Sequence, residues 1–117
     1  NITFTGKINN NQVIDLLRQS DIFIMVSKNE TFGLSYLEAA ASGNIIIAKK
    51  NDGIDGLLTD EENAFFVSAN YKEIAACLRK ICETETNKLN EIRTAAINIA
   101  SRYTLSSAAE NYLKNIK

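Results

Sequence analysis

Two hydrophobic rhythms alternate along this chain. Residues 21–26 (DIFIMV), 44–48 (NIIIA) and 64–67 (AFFV) are short runs rich in β-branched and aromatic side chains. Between them, apolar positions recur three or four apart. Nearly continuous apolar runs suit strands buried on both faces, and their alternation with helical patterns is the signature of βαβ units and a parallel sheet. Residues 2–5 read as a further strand, ending at Gly6. Asn9 and Gln12 stand at capping-box spacing ahead of a helix whose apolar face would be Val13, Leu16 and Leu17. Residues 32–42 read as a short helix closed by Gly43. Asn70 and Glu73 open a helix of about four turns that ends near Glu85. From about Lys88 onward the pattern is helical, with a break near Arg102-Tyr103-Thr104. The expected fold class is α/β, a Rossmann-like parallel sheet with flanking helices, in one domain over residues 1–117.

The strand ends run into polar or glycine-containing loops at Gly6, Ser27 and Gly53. In an open parallel sheet, ligands bind beyond the carboxyl ends of the strands, where such loops converge. The loop 27–31 leads into a helix opening around Phe32-Gly33. The first amides of a helix lack intrahelical partners and lie at the positive end of its dipole, an arrangement suited to a pyrophosphate. Gly33 has no Cβ, so a ligand can approach the backbone closely. At about 100° per residue, Leu34, Leu37 and Ala41 would form the buried stripe of that helix, with Glu38 on its edge, about 40° from Leu34. A carboxylate there needs a partner. Ribose hydroxyls would serve, and so would solvent or a nearby Lys; helix geometry leaves both open. Glu30 by itself says less: an acidic residue just ahead of a helix is common because the dipole favours it, and a functional role stays open.

Composition narrows the chemistry. The chain has 117 residues and a formal net charge of −1. A phosphate-backbone binder would show a basic stripe, so no nucleic-acid partner is expected. Histidine is absent, which excludes His-based general bases, triads and metal sites from this chain. Cys77 and Cys82 are five apart in a helical pattern, so their side chains diverge, and they read as packed thiols in a reducing compartment. No metal ligand set and no cofactor is expected. No apolar run reaches the ~18 residues of a membrane span and no signal peptide opens the chain, so the expected setting is cytoplasmic. A chain that opens inside a strand reads as a piece of something longer.

Glu30 and Glu38 form an E-x7-E pattern, with Phe32-Gly33 between them and Glu38-Ala39-Ala40-Ala41-Ser42-Gly43 after. Together with Phe4-Thr5-Gly6, Ser20-Asp21, Ser27 and Asn63-Ala64-Phe65-Phe66-Val67, this resembles the retaining GT-B glycosyltransferases of the family 4 group. The resemblance extends to about residue 115 and implies a partial C-terminal domain of a GT-B fold. It implies that Glu30 contacts donor-sugar hydroxyls and serves in catalysis. Thr31 and the backbone of Phe32, Gly33, Leu34 and Ser35 would hold the sugar and diphosphate. Glu38 would hold the ribose, and Gly6 and Ile8 would lie at the nucleobase pocket. The implied reaction is sugar transfer from a nucleoside diphosphate to an acceptor with retention, without metal or protein nucleophile.

An N-terminal domain outside this chain would bind the acceptor, and any peripheral contact with the inner face of a membrane would come through it. The chain alone is expected to be inactive. Departures from the family pattern are Val26 and Ile45 for Pro, Asp55-Gly56 for Pro-Glu, and Ala64 for Gly. The competing readings are a nucleotide-binding or scaffold module without transferase activity, a GT-B-like nucleotide-sugar epimerase, and a flavodoxin-like receiver. The receiver's acidic cluster at the strand ends is lacking.

Overall fold

The computed structural model describes residues 1–26, 34–51 and 56–103. In chain order its elements are α1 (Asn10–Gln19), β1 (Ile22–Met25), α2 (Leu34–Ala41), β2 (Ile45–Lys49), β3 (Phe65–Val67), α3 (Tyr71–Glu83) and α4 (Thr86–Ser101). The three strands form one parallel sheet in the order β1-β2-β3. Ile22 pairs with Ile45, and Ile47 with Phe65.

Successive strand residues point to opposite faces, and the apolar runs are therefore shared between two cores. Ile46, Ala48 and Phe66 pack with Tyr36, Leu37, Ala39 and Ala40 of α2 and with Ala96 and Ala100 of α4. Ile45, Ile47, Phe65 and Val67 pack on the other face with Cys77 and Ile81 of α3 and Ile92 of α4. The long helix α4 thus serves both cores, through different turns.

The helix starts follow the local chemistry. Asn9 Oδ1 accepts from Gln12 N, and Gln12 Oε1 accepts from Asn9 N, both at 2.9 Å, completing the capping box of α1. Asn70 Oδ1 accepts from Glu73 N at 2.9 Å, and Asn70 Nδ2 donates to Glu73 Oε2 at 3.0 Å. Gly43 ends α2 at φ +88°, a left-handed conformation that suits a residue without Cβ.

Three expectations change and one is met. Residues 2–5 form no strand, and Ile2 and Phe4 are 84% and 92% exposed. A strand exists through its neighbour's hydrogen bonds, and no described strand lies beside this segment. The run 21–26 was expected to be buried on both faces, yet β1 is the edge of the described sheet and Ile24 is 39% exposed. Leu16 stands exposed on α1, whose contact with the core runs through Leu17 and Val13. The break after α4 begins at Arg102 and Tyr103; residues 104–117 lie outside the described part.

Candidate functional site at the carboxyl ends of the strands

Residues 27–33 connect the carboxyl end of β1 to the first turn of α2. Glu30, Thr31, Phe32 and Gly33 lie outside the described residues, as do 52–55 in the loop after β2. Tyr36 is fully buried, its hydroxyl donates to the Met25 carbonyl, and its ring meets Phe23 edge-to-face at 5.8 Å and 88°. The last residue of β1 and the first turns of α2 are therefore joined directly.

The orientation of α2 differs from the stripe expected from sequence. Tyr36, Leu37, Ala39 and Ala40 are buried, whereas Ala41 is exposed. At about 100° per residue the four buried positions share one continuous arc, and Glu38 falls on the opposite side of the helix. Glu38 is thus not at the edge of the buried stripe. It is half-buried while turned away from the core that α2 builds. The stripe was misjudged because Ala41 was weighted as a core residue and Tyr36 was not. A tyrosine can bury its ring when its hydroxyl finds an acceptor, and Met25 supplies one.

Ser35 is exposed at the start of α2, and Leu34 contributes the first helical backbone. Gly6 has φ +62° in the exposed segment before α1, and Ile8 is half-buried there. Beyond the carboxyl end of β2, an open cavity of about 460 Å³ is lined by Lys50, by Gly56, Leu58 and Asp60 of the segment leading to β3, and by Phe66. Asp60 accepts from Phe66 N at 3.0 Å, which fixes the return of the chain from that cavity into β3. Lys50 reaches Glu73 at 3.4 Å. The Glu73 carboxyl is held below its ordinary value, first by a hydrogen bond from the Ser68 side chain and then by Lys50.

Among the described residues there is no group of three His, Cys, Asp or Glu placed to hold a metal ion. No described helix is long and apolar enough to cross a membrane.

A parallel sheet covered by helices, with its loops gathered at the strands' carboxyl ends, is the architecture of the C-terminal Rossmann-like domains of GT-B glycosyltransferases. The chain belongs to the family Glycosyl transferases group 1, which its residues 1–99 match.

Among curated relatives, it is 29% identical over 103 residues to the N,N'-diacetylbacillosaminyl-diphospho-undecaprenol alpha-1,3-N-acetylgalactosaminyltransferase of Campylobacter jejuni. That match covers 87% of this chain and 27% of the relative, so the chain spans about a quarter of that enzyme's length. Among solved structures, the C-terminal domain of the group 1 glycosyl transferase LpcC from Francisella tularensis superposes with a TM-score of 0.74 at 26% identity. It covers 89% of this chain and 53% of that one. Anabaena HepE in complex with UDP-glucose superposes with a TM-score of 0.72 at 24% identity, over 89% of this chain and 30% of that one, and shares the fold.

Proposed function

We propose that this chain is the donor-binding half of a glycosyltransferase that moves a sugar from a nucleoside diphosphate to an acceptor with retention of configuration. The observation that carries the reading is the placement of Glu38. It is a half-buried carboxylate turned away from the core, one turn into the helix that opens at the carboxyl end of β1. A carboxylate in that setting has lost part of its hydration without gaining a core partner, and vicinal ribose hydroxyls would supply two donors.

In this reading the backbone amides of Phe32, Gly33, Leu34 and Ser35 hold the diphosphate, and the dipole of α2 stabilises the charge that builds up on the leaving group. Glu30 and Thr31 contact the donor sugar. Gly6 and Ile8 border the nucleobase. No metal is required, because backbone amides take the phosphates. The leaving diphosphate assists attack on the same face, so positioning and electrostatic stabilisation are what the protein contributes. The acceptor belongs to a partner domain outside these residues, and so does any membrane contact. A cytoplasmic setting goes with the same reading. UDP-glucose in HepE, a protein of the same fold, supports a nucleotide-sugar donor here.

The test is a thermal-shift panel of UDP, GDP and ADP on the full-length protein with Glu38→Ala alongside. A ligand at one hundred times its Kd adds about 2.7 kcal/mol to stability. One nucleotide is expected to stabilise the wild type, and Glu38→Ala to lose most of that gain. Three nucleotides without effect on the wild type would sink the assignment.

A further inference from the structure

β3 is the last strand of the described sheet, so one of its sides faces no described strand. In a parallel pair the backbone groups of alternate residues turn to the same neighbour. Lys50 N donates to Val67 O at 2.9 Å, and Ile47 pairs with Phe65. Phe65 and Val67 therefore turn their polar groups to β2, while Ala64 and Phe66 turn theirs to the open side. A strand added in parallel would bind there through one residue. Its N–H would donate to Ala64 O, and its carbonyl would accept from Phe66 N.

Both groups are already taken, by two adjacent residues of the turn before β3. Glu61 N donates to Ala64 O at 2.8 Å, and Asp60 Oδ1 accepts from Phe66 N at 3.0 Å. The main chain bridges Asp60 to Ala64 in the parallel sense. The Asp60 carboxylate thus stands where the carbonyl of an added strand would. This has a cost, because Glu61 holds φ +64°, a left-handed conformation that residues with a Cβ seldom adopt. Two contacts hold the turn against it. Asn63 Oδ1 accepts from Thr59 N at 2.7 Å, and the Glu61 carboxylate pairs with Lys80 of α3. What the turn covers is a hazard when bare. Residues 64–67 (AFFV) are uncharged and rich in strand formers, and an open edge of that kind pairs with the edge of another chain.

We propose that Asp60 and Glu61 form a plug that imitates one residue of a fourth strand and keeps the β3 edge from pairing with the same edge of a second copy of this protein. Asp60 acts here as a hydrogen-bond acceptor, not through charge repulsion. Asparagine keeps an acceptor oxygen and loses the charge, whereas alanine loses both.

The experiment measures molar mass by light scattering over a concentration series on the full-length protein and its Asp60→Ala, Asp60→Asn and Leu17→Ala variants. Leu17 is a buried residue of α1, and its truncation lowers stability without touching the plug. Asp60→Ala is expected to form dimers or larger species whose share rises with concentration. Asp60→Asn and Leu17→Ala should keep the wild-type mass. In the wild type, hydrogen exchange should find the Phe66 amide slow, like its neighbours in β3, and this arm needs no variant to fold. The plug is overturned if Asp60→Ala keeps the wild-type mass, if Leu17→Ala associates as much as Asp60→Ala, or if the Phe66 amide exchanges freely. Association of Asp60→Asn as strong as that of Asp60→Ala would assign the effect to charge and overturn it as well.

Discussion

Asn44 donates from Nδ2 to the carbonyl of Ser20 at 2.8 Å, locking the residue ahead of β2 onto the end of α1. Asn44 is fully buried, and its Oδ1 has no hydrogen-bond partner among the described residues. The next residue continues the junction: Ile45 N donates to Asp21 O at 2.9 Å. The proline that the family pattern favours at position 45 has no N–H and would lose that bond. The departure from the pattern thus has a local compensation.

Asn44→Ala is expected to cost about 1–3 kcal/mol, because the Ser20 carbonyl loses its donor and a fully buried side chain is cut back. Asn44→Asp should cost more at neutral pH, since the carboxylate would be buried unpaired. Burial would raise that Asp's folded pKa above the unfolded ~3.9, so the extra penalty grows as pH rises through and above that value. Urea midpoints at about pH 4 and pH 7 check this. Equal midpoints for the two variants at both pH values would contradict it.

The contact of α2 with α4 is made largely of alanines. Ala39, Ala40, Ala96 and Ala100 are all nearly or fully buried in one core. Small side chains let the two helices approach closely, and there is no room for a branched one. Ala96→Leu is expected to destabilise by about 1–3 kcal/mol through overpacking. Ala75→Leu, at an exposed position of α3, should stay within about 0.5 kcal/mol of wild type. Thermal melts of the pair would show whether the packing argument holds.

Glu73 predicts an acid limb of the stability curve. Its folded pKa lies below the ordinary 4.5, with the Ser68 hydrogen bond the larger cause and Lys50 the next. A depressed carboxylate contributes stability that is fully present above the unfolded value and is lost as pH falls through the folded one. Wild type should therefore lose stability as pH drops below 4.5. Glu73→Gln should lose less over the same interval. Denaturant melts in a pH series check the difference in slope, and parallel curves for the two proteins would count against it.

The two thiols should report folding. Cys77 is buried on α3 and Cys82 is exposed near its end, and the two are not bonded to each other. Burial pushes the Cys77 thiol above its ordinary value, and the charge of Asp60 adds to this. The thiolate is the reactive form. Iodoacetamide under native conditions is expected to label Cys82 first, with Cys77 following only after denaturant is added. Mass spectrometry of the labelled peptides reads the order directly.

Much of the architecture was legible along the chain. The capping residues Asn9 and Asn70, the closing Gly43 and the apolar runs of β2 and β3 act through neighbours within a few positions or through simple alternation. Local rules therefore locate them. Lys50, just past β2, pairs with Glu73 of α3, a contact between distant segments that no local rule locates.

The sequence by itself determined the class of the fold, the family and the candidate pair Glu30 and Glu38. These rest on residue identity, spacing and periodicity, which need no partner from elsewhere in the chain. Tertiary structure decided which face of α2 is buried. Helical periodicity relates positions to one another but leaves the rotation of the helix against the sheet open, and the bond from Tyr36 to Met25 settles it here. It also decided that residues 2–5 stay unpaired and that β1 forms an edge, since strand pairing is a relation between distant segments. Glu38 owes its outward aspect to the same rotation, and a carboxylate that faces away from the core is free to meet a ligand.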